Sequence, residues 1–167
     1  MSDPAPGPAR AVFEALERLG IQYDVHEHPP VFTVDEALAH WAGIEATHCN
    51  NLFLRNKKGT RHYLVVAEHS KPVRLDALVA HLGDDRLSFG SPDRLQRYLG
   101  LTPGSVSPFG ILNDANKEVL VVVDSDLRGA ARVGFHPNVN TATVVIRGHD
   151  FERFLEASGN VVKYVKL

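Results

Sequence analysis

Apolar residues recur along this chain at two spacings, and the switches between them mark out its elements. Val12, Phe13, Leu16 and Leu19 share one face at helical spacing, which predicts a helix over Ala9–Leu19 that Gly20 stops. Ile21–His26 alternates weakly and reads as a short strand. His28-Pro29-Pro30-Val31-Phe32 follows as extended chain, because two prolines fix the backbone there. Thr33 and Glu36 have the spacing of a capping box for a helix through Ala42, with Trp41 as a packing residue. Asn51–Arg55 and Arg61–Ala67 flank the polar, glycine-bearing turn Asn56-Lys57-Lys58-Gly59-Thr60, a hairpin pattern. Leu75–Leu82 has helical spacing and ends at Gly83.

Further on, Arg86–Phe89 reads as a short strand. Ser91 and Pro92 open a helix as N-cap and first residue, and Gly100 closes it. Val119–Asp124 and Thr141–Ile146 are β-branched runs of strand length. Phe151, Phe154 and Leu155 mark a helix ended by Gly159, and Val161–Val165 is a last strand. Helices and strands interspersed around a hairpin predict an α+β fold, one mixed and mostly antiparallel sheet surrounded by helices. The pattern leaves strand order open.

One stretch fits neither period. Leu99–Asp114 carries three glycines and two prolines among a few apolar residues, so its backbone follows a fixed, non-repeating path. Glycine leaves its amide bare, and such a loop can donate hydrogen bonds to a carbonyl that turns negative during acyl transfer. The same composition also suits a plain connection between a helix and a strand.

Composition narrows the setting. With 167 residues and 44% of them apolar, the chain can close one substantial core, expected over residues 9–167 behind a tail of residues 1–8. A net charge of −2 gives no global attraction for polyanions, so a nucleic-acid contact must rest on local basic patches. One cysteine cannot form an internal disulfide. Neither an apolar leader nor a bilayer-length apolar segment stands in the sequence, so a cytoplasmic protein without membrane contact is expected.

Three further places can carry chemistry. Thr47-His48-Cys49-Asn50-Asn51 sets polar residues at the start of an apolar strand. Neighbours on a strand point to opposite faces, so Cys49 reads as a buried, inert thiol rather than a partner of His48. His136, in Phe135-His136-Pro137-Asn138, sits in a turn-like context and can orient a substrate or move a proton near neutral pH. His26, His28 and His136 lack a recognised ligand spacing, so no metal is expected. Arg55, Lys57, Lys58 and Arg61 gather at the hairpin turn, and Arg94, Arg97, Lys163 and Lys166 add to the cations that can meet phosphates. Duplex DNA is not an expected partner, because no helix concentrates base-reading residues.

Several segments, in order, resemble the signatures of the YbaK and prolyl-tRNA synthetase-associated editing domain family. They are His28-Pro-Pro-Val-Phe, His48-Cys-Asn-Asn-Leu-Phe-Leu-Arg, Leu87-Ser-Phe-Gly, Gly100-Leu-Thr-Pro-Gly-Ser-Val-Ser-Pro-Phe-Gly-Ile-Leu-Asn-Asp and Phe135-His-Pro-Asn. The likeness spans Ala9 to Val165 and is nearest to the freestanding alanyl-tRNA(Pro) deacylases. It implies hydrolysis of the ester on mischarged tRNA(Pro) carrying a small amino acid such as alanine, with no cofactor. Prolyl-tRNA synthetase is a second expected partner.

By the same resemblance, Gly104, Ser105, Val106, Ser107 and Pro108 hold the aminoacyl carbonyl and His136 stands beside the ester. Val31 and Phe32 wall the side-chain pocket. Asn51, Asn113 and Asp114 complete the expected substrate contacts, and Arg55, Lys57, Lys58 and Arg61 the tRNA contacts. One position departs from the family: Asn50 replaces a functional lysine and brings no positive charge. Lys57, Lys58 and Lys71 are the lysines that could compensate. The departure also leaves room for a non-catalytic homologue that binds aminoacyl-tRNA or a synthetase.

Overall fold

The computed structural model describes residues 7–31 and 33–167. Five helices are α1 (Pro8–Arg18), α2 (Val34–Trp41), α3 (Leu75–Leu82), α4 (Pro92–Leu99) and α5 (Gly148–Ser158). Eight strands are β1 (Asp24–Glu27), β2 (Thr47–Asn56), β3 (His62–Glu68), β4 (Leu87–Phe89), β5 (Val119–Asp124), β6 (Arg132–Phe135), β7 (Ala142–Arg147) and β8 (Val162–Val165). The expected caps are in place: Thr33 accepts the Glu36 N–H at 3.1 Å, Ser91 accepts the Arg94 N–H, and Gly100 ends α4 at φ 65°. Pro8 is already helical, so α1 begins inside the segment expected as a tail, whose first six residues lie outside the described ones.

The strands form one sheet in the order β1-β7-β6-β2-β3-β5-β8, with β4 paired to β2. Four pairings are antiparallel and three, β2 with β6, β3 with β5 and β5 with β8, are parallel. On one face α1, α4 and α5 cover a core built on Phe109, Phe135, Phe151 and Phe154, while α3 covers a smaller cluster around Leu54 and Val65 on the other. Phe109 meets Phe135 and Phe154 edge-on at 5.8 and 5.2 Å, which ties the Leu99–Asp114 stretch to the core.

A break in pairing positions the site. β3 covers one edge of β2 from Cys49 to Arg55. On the opposite edge β6 reaches only Thr47 and His48, and β4 only Leu54 to Asn56. Among the described residues no strand pairs with the edge between them. The Phe53 carbonyl points to this edge, where it accepts the Gly90 N–H at 2.9 Å, so by two-residue alternation the main-chain groups of Asn51 face the opening.

Candidate functional site

Alternation along β2 sends its polar residues to different places. Cys49 and Phe53 belong to the larger core, so Asn51 and Arg55 share that face. Leu52 and Leu54 belong to the smaller cluster, which puts His48 and Asn50 on the opposite one. Asn50 is exposed and its Nδ2 donates to the His69 carbonyl at 3.2 Å. Asn51 keeps a buried Oδ1 that no described group satisfies.

β6 delivers His136 beside this segment. Gly134 is level with His48 in the parallel pairing, and His136 follows two residues later, just past the end of β6. The His136 Nδ1–H donates to the Ala142 carbonyl at 2.9 Å, which fixes the tautomer and leaves Nε2 as an acceptor. Burial pushes its pKa below the ordinary histidine value, and nearby His28 adds to the effect. The His28 ring lies 6.0 Å from that of His136 and is stacked on His40 at 5.0 Å.

The glycine-rich stretch closes the arrangement. Two 3-10 turns, Pro103–Ser105 and Pro108–Asn113, replace the irregular path expected from composition. Gly104 is exposed, and among the described residues nothing accepts its N–H. A side chain there would have Asn140 Nδ2 as its neighbour at 3.6 Å, and the same amide group donates to the Val31 carbonyl at 3.3 Å. Asn140 thus joins the Gly104 turn, the Val31 segment and the turn after His136. No sequence pattern marks it, because it acts by bridging segments remote in the chain.

Other expected site residues are committed elsewhere. The Ser105 N–H closes its own turn on the Thr102 carbonyl at 2.9 Å, so it is not an open donor. Ser107 is fully buried with its Oγ accepting the Phe109 N–H, Pro108 is buried, and Val106 packs against the core. Asn113 Nδ2 donates to the Leu99 carbonyl at 2.8 Å. Buried Asp114 accepts the Glu118 and Val119 N–H groups and Asn160 Nδ2, which anchors the start of β5 rather than a ligand. Phe32 lies outside the described residues.

Nor do the lysines stand in for the missing charge at Asn50. Lys71 Nζ is held by Asp124 at 2.9 Å and Asp126 at 2.5 Å, while Lys57 and Lys58 sit at the hairpin tip, the far end of β2. Cys49 is buried among apolar groups that push its thiol pKa up, so it is no nucleophile. Among the described residues no three His, Cys, Asp or Glu side chains converge as metal ligands, and no helix is long and apolar enough to cross a membrane. A cleft of about 640 Å³ opens elsewhere, lined by Ile21–Asp24, Ala131, Arg132 and Val145–Arg147. Its Arg132 and Asp24 already pair at 2.6 Å.

Burial lowers the pKa of His48, His62 and His136, that of His62 to about 4, and each is therefore neutral in the native state. An unfolded chain binds protons on these rings below about pH 6.5, so native stability drops as pH falls through that value toward 4. For His62 the slope approaches about 1.4 kcal/mol per pH unit between those values. Urea midpoints at pH 7 and pH 5 check this, with the lower midpoint expected at pH 5.

Residues 28–154 match the family model described as the aminoacyl-tRNA editing domain. The chain belongs to this family. It is 46% identical over 160 residues to the prolyl-tRNA editing protein ProX of Acetoanaerobium sticklandii, covering 95% of this chain and 96% of that one. The prolyl-tRNA synthetase associated domain-containing protein 1 of Danio rerio is 36% identical, over 86% and 78% of the respective chains. A solved structure described as a candidate trans-editing enzyme for prolyl tRNA synthetase superposes with a TM-score of 0.72. It covers 98% of this editing domain and 99% of that chain at 23% identity, which speaks for the fold.

Proposed function

We propose that this editing domain is a trans-acting aminoacyl-tRNA deacylase, which hydrolyses the ester of mischarged tRNA(Pro) carrying a small amino acid such as alanine. The reading rests on the amide of Gly104, which no described acceptor covers and which lies beside Asn140, the residue that donates to the Val31 carbonyl, together with the Nε2 of His136, left as an acceptor by the Nδ1–H bond to Ala142. In this mechanism the Gly104 N–H polarises the ester carbonyl, and a water held by the Nε2 of His136 attacks its carbon. The new C–O bond forms as the bond to the ribose oxygen breaks. His136 Nε2 takes the water's proton and returns it, through the neighbouring ribose hydroxyl, to the departing ribose oxygen, and the products are free amino acid and intact tRNA.

The two asparagines divide the remaining work. Asn51 turns main-chain groups toward the opening and keeps a buried, unsatisfied Oδ1, and both suit the substrate's polar atoms. Asn50, exposed with its Nδ2 on the His69 carbonyl, keeps its Oδ1 to meet the terminal adenosine. Val31 and Phe32 wall the acyl pocket, and exclusion of the proline ring is steric. The name of the 46% identical relative supports tRNA(Pro) as the carrier, with prolyl-tRNA synthetase as a second partner. The cytoplasm is the site of action that goes with that carrier. Hydrolysis assays on tRNA(Pro) bearing Ala, Ser, Thr or 2-aminobutyrate test the proposal. Release is expected for the small side chains and not for proline, and none above the buffer rate for any of them would refute it.

Asn50 favours a second reading, a non-catalytic homologue that binds charged tRNA without turnover. Asn50→Lys separates the two. An adapted enzyme changes rate by no more than one to two decades, the equivalent of one charge-assisted contact of roughly 1.5–3 kcal/mol. A rate appearing from nothing would mark a site that has lost its chemistry.

A further inference from the structure

Three arginines meet on the β2 face that also carries Asn51. The Arg55 guanidinium folds back on the carbonyls of Asn56 and Lys57 at 3.1 and 2.9 Å. Arg94, from α4, donates to the Gly59 carbonyl and to His62 Nε2 at 3.3 and 2.9 Å. Both guanidinium groups come within 3.3 Å of the same point, the place where Gly59 would carry a side chain. Arg97 follows one helical turn after Arg94, exposed and 5.5 Å from the Tyr98 ring that itself stacks on His62.

Among the described residues none of the three is paired with a carboxylate, although Arg10, Arg61, Arg74, Arg128, Arg132 and Arg153 all are. Their charge is felt at His62, where after burial the field of Arg94, Arg55 and Arg97 is what keeps the ring neutral. Like charges gathered without counter-charge cost energy unless an anion completes them. Arg55 stands four residues beyond Asn51 on the same face, ~13 Å along the strand.

We infer that Arg55, Arg94 and Arg97 form a phosphodiester-binding site that holds the single-stranded acceptor end of the RNA, leading its terminal nucleotide to the Asn51–Gly104 opening. This inference rests on the editing reading for the identity of the RNA. It differs from a general basic hairpin, because Lys57, Lys58 and Arg61 lie outside the converging set. Guanidinium groups whose donors are partly fixed by main-chain carbonyls offer their remaining N–H groups at little further entropic cost.

The test is binding of a fluorescent ribonucleotide tetramer ending in CCA to the full chain, over a range of salt. Arg97→Ala, exposed and without a fold-bearing contact, and Arg55→Ala/Arg94→Ala are expected each to weaken binding about tenfold or more. The slope of log K against log salt should flatten by about 0.7 for each phosphate that the variant no longer neutralises. Arg147→Ala, exposed on β7 with β6 between it and β2, serves as the control. A tetramer with uncharged methylphosphonate links should bind wild type and variants alike. Unchanged affinity and slope for Arg97→Ala would overturn the site even if ester hydrolysis is found. Conversely, loss of tetramer binding in a chain that hydrolyses no aminoacyl ester would uphold the site and remove the editing reading.

Discussion

Replacing Gly104 by alanine is expected to lower ester hydrolysis by about 10²–10³-fold, because the added methyl group keeps the substrate carbonyl from the amide and so costs about as much as losing one donor to a developing oxyanion, while the protein remains folded. The two halves of this expectation come from one observation. A methyl group at residue 104 meets no described atom closer than the Asn140 amide at 3.6 Å, an ordinary contact, so the native chain has room for it. That methyl group would stand beside an exposed amide that no described acceptor covers, where the substrate carbonyl must approach. Single-turnover release of alanine from Ala-tRNA(Pro), measured beside thermal unfolding, separates the two. A loss of activity with a matching loss of stability would assign Gly104 to the fold instead.

The second large effect belongs to Phe109. Truncation to alanine is expected to cost ~3–5 kcal/mol, since the ring is wholly buried and its two edge-on contacts, with Phe135 and Phe154, would be replaced by a cavity. Phe109 follows Pro108 in the turn next after the one that carries Gly104, and its N–H caps on Ser107. The truncated protein should therefore lose more activity on warming than wild type, before global unfolding. Urea denaturation and activity measured over the same temperatures check the two parts. A stability change below about 1 kcal/mol would show that the neighbouring rings repack, as well-filled cores seldom do.

Local physics makes much of the architecture legible. Capping at Thr33 and Ser91, the glycine stop at Gly100, the hairpin around Gly59 and the β-branched runs of β5 and β7 each depend on a few adjacent residues, and each stands where the pattern puts it. Strand β6, Arg132–Phe135, is not legible in the sequence, because four residues around a glycine show little alternation. The start of β2 is hidden for a related reason. Its first residues, Thr47 to Asn50, are polar apart from the buried Cys49, so the strand pattern is clear only from Asn51 on.

Within the site, the resemblance supplies a set of residues and the structure sorts them. Asn140, in the turn after His136, donates to the Val31 carbonyl and lies beside Gly104, and β6 brings Gly134 level with His48. Asp114 and Asn113 instead spend their polar groups on the main chain of neighbouring segments. Motif spacing carries no information about which face of a strand a residue takes in a split sheet. Alternation does, once the register is fixed, and it separates Asn50 from Asn51.

The central claim is that the open amide of Gly104 receives the acyl carbonyl beside His136. The most direct measurement is a titration of the ¹⁵N-labelled protein with a nonhydrolysable alanyl-adenosine mimic, followed by backbone amide shifts. The largest displacement is expected at Gly104, with Asn51, His136 and Asn140 following. Displacements centred on the Ile21–Asp24 cleft, with Gly104 unmoved, would contradict it.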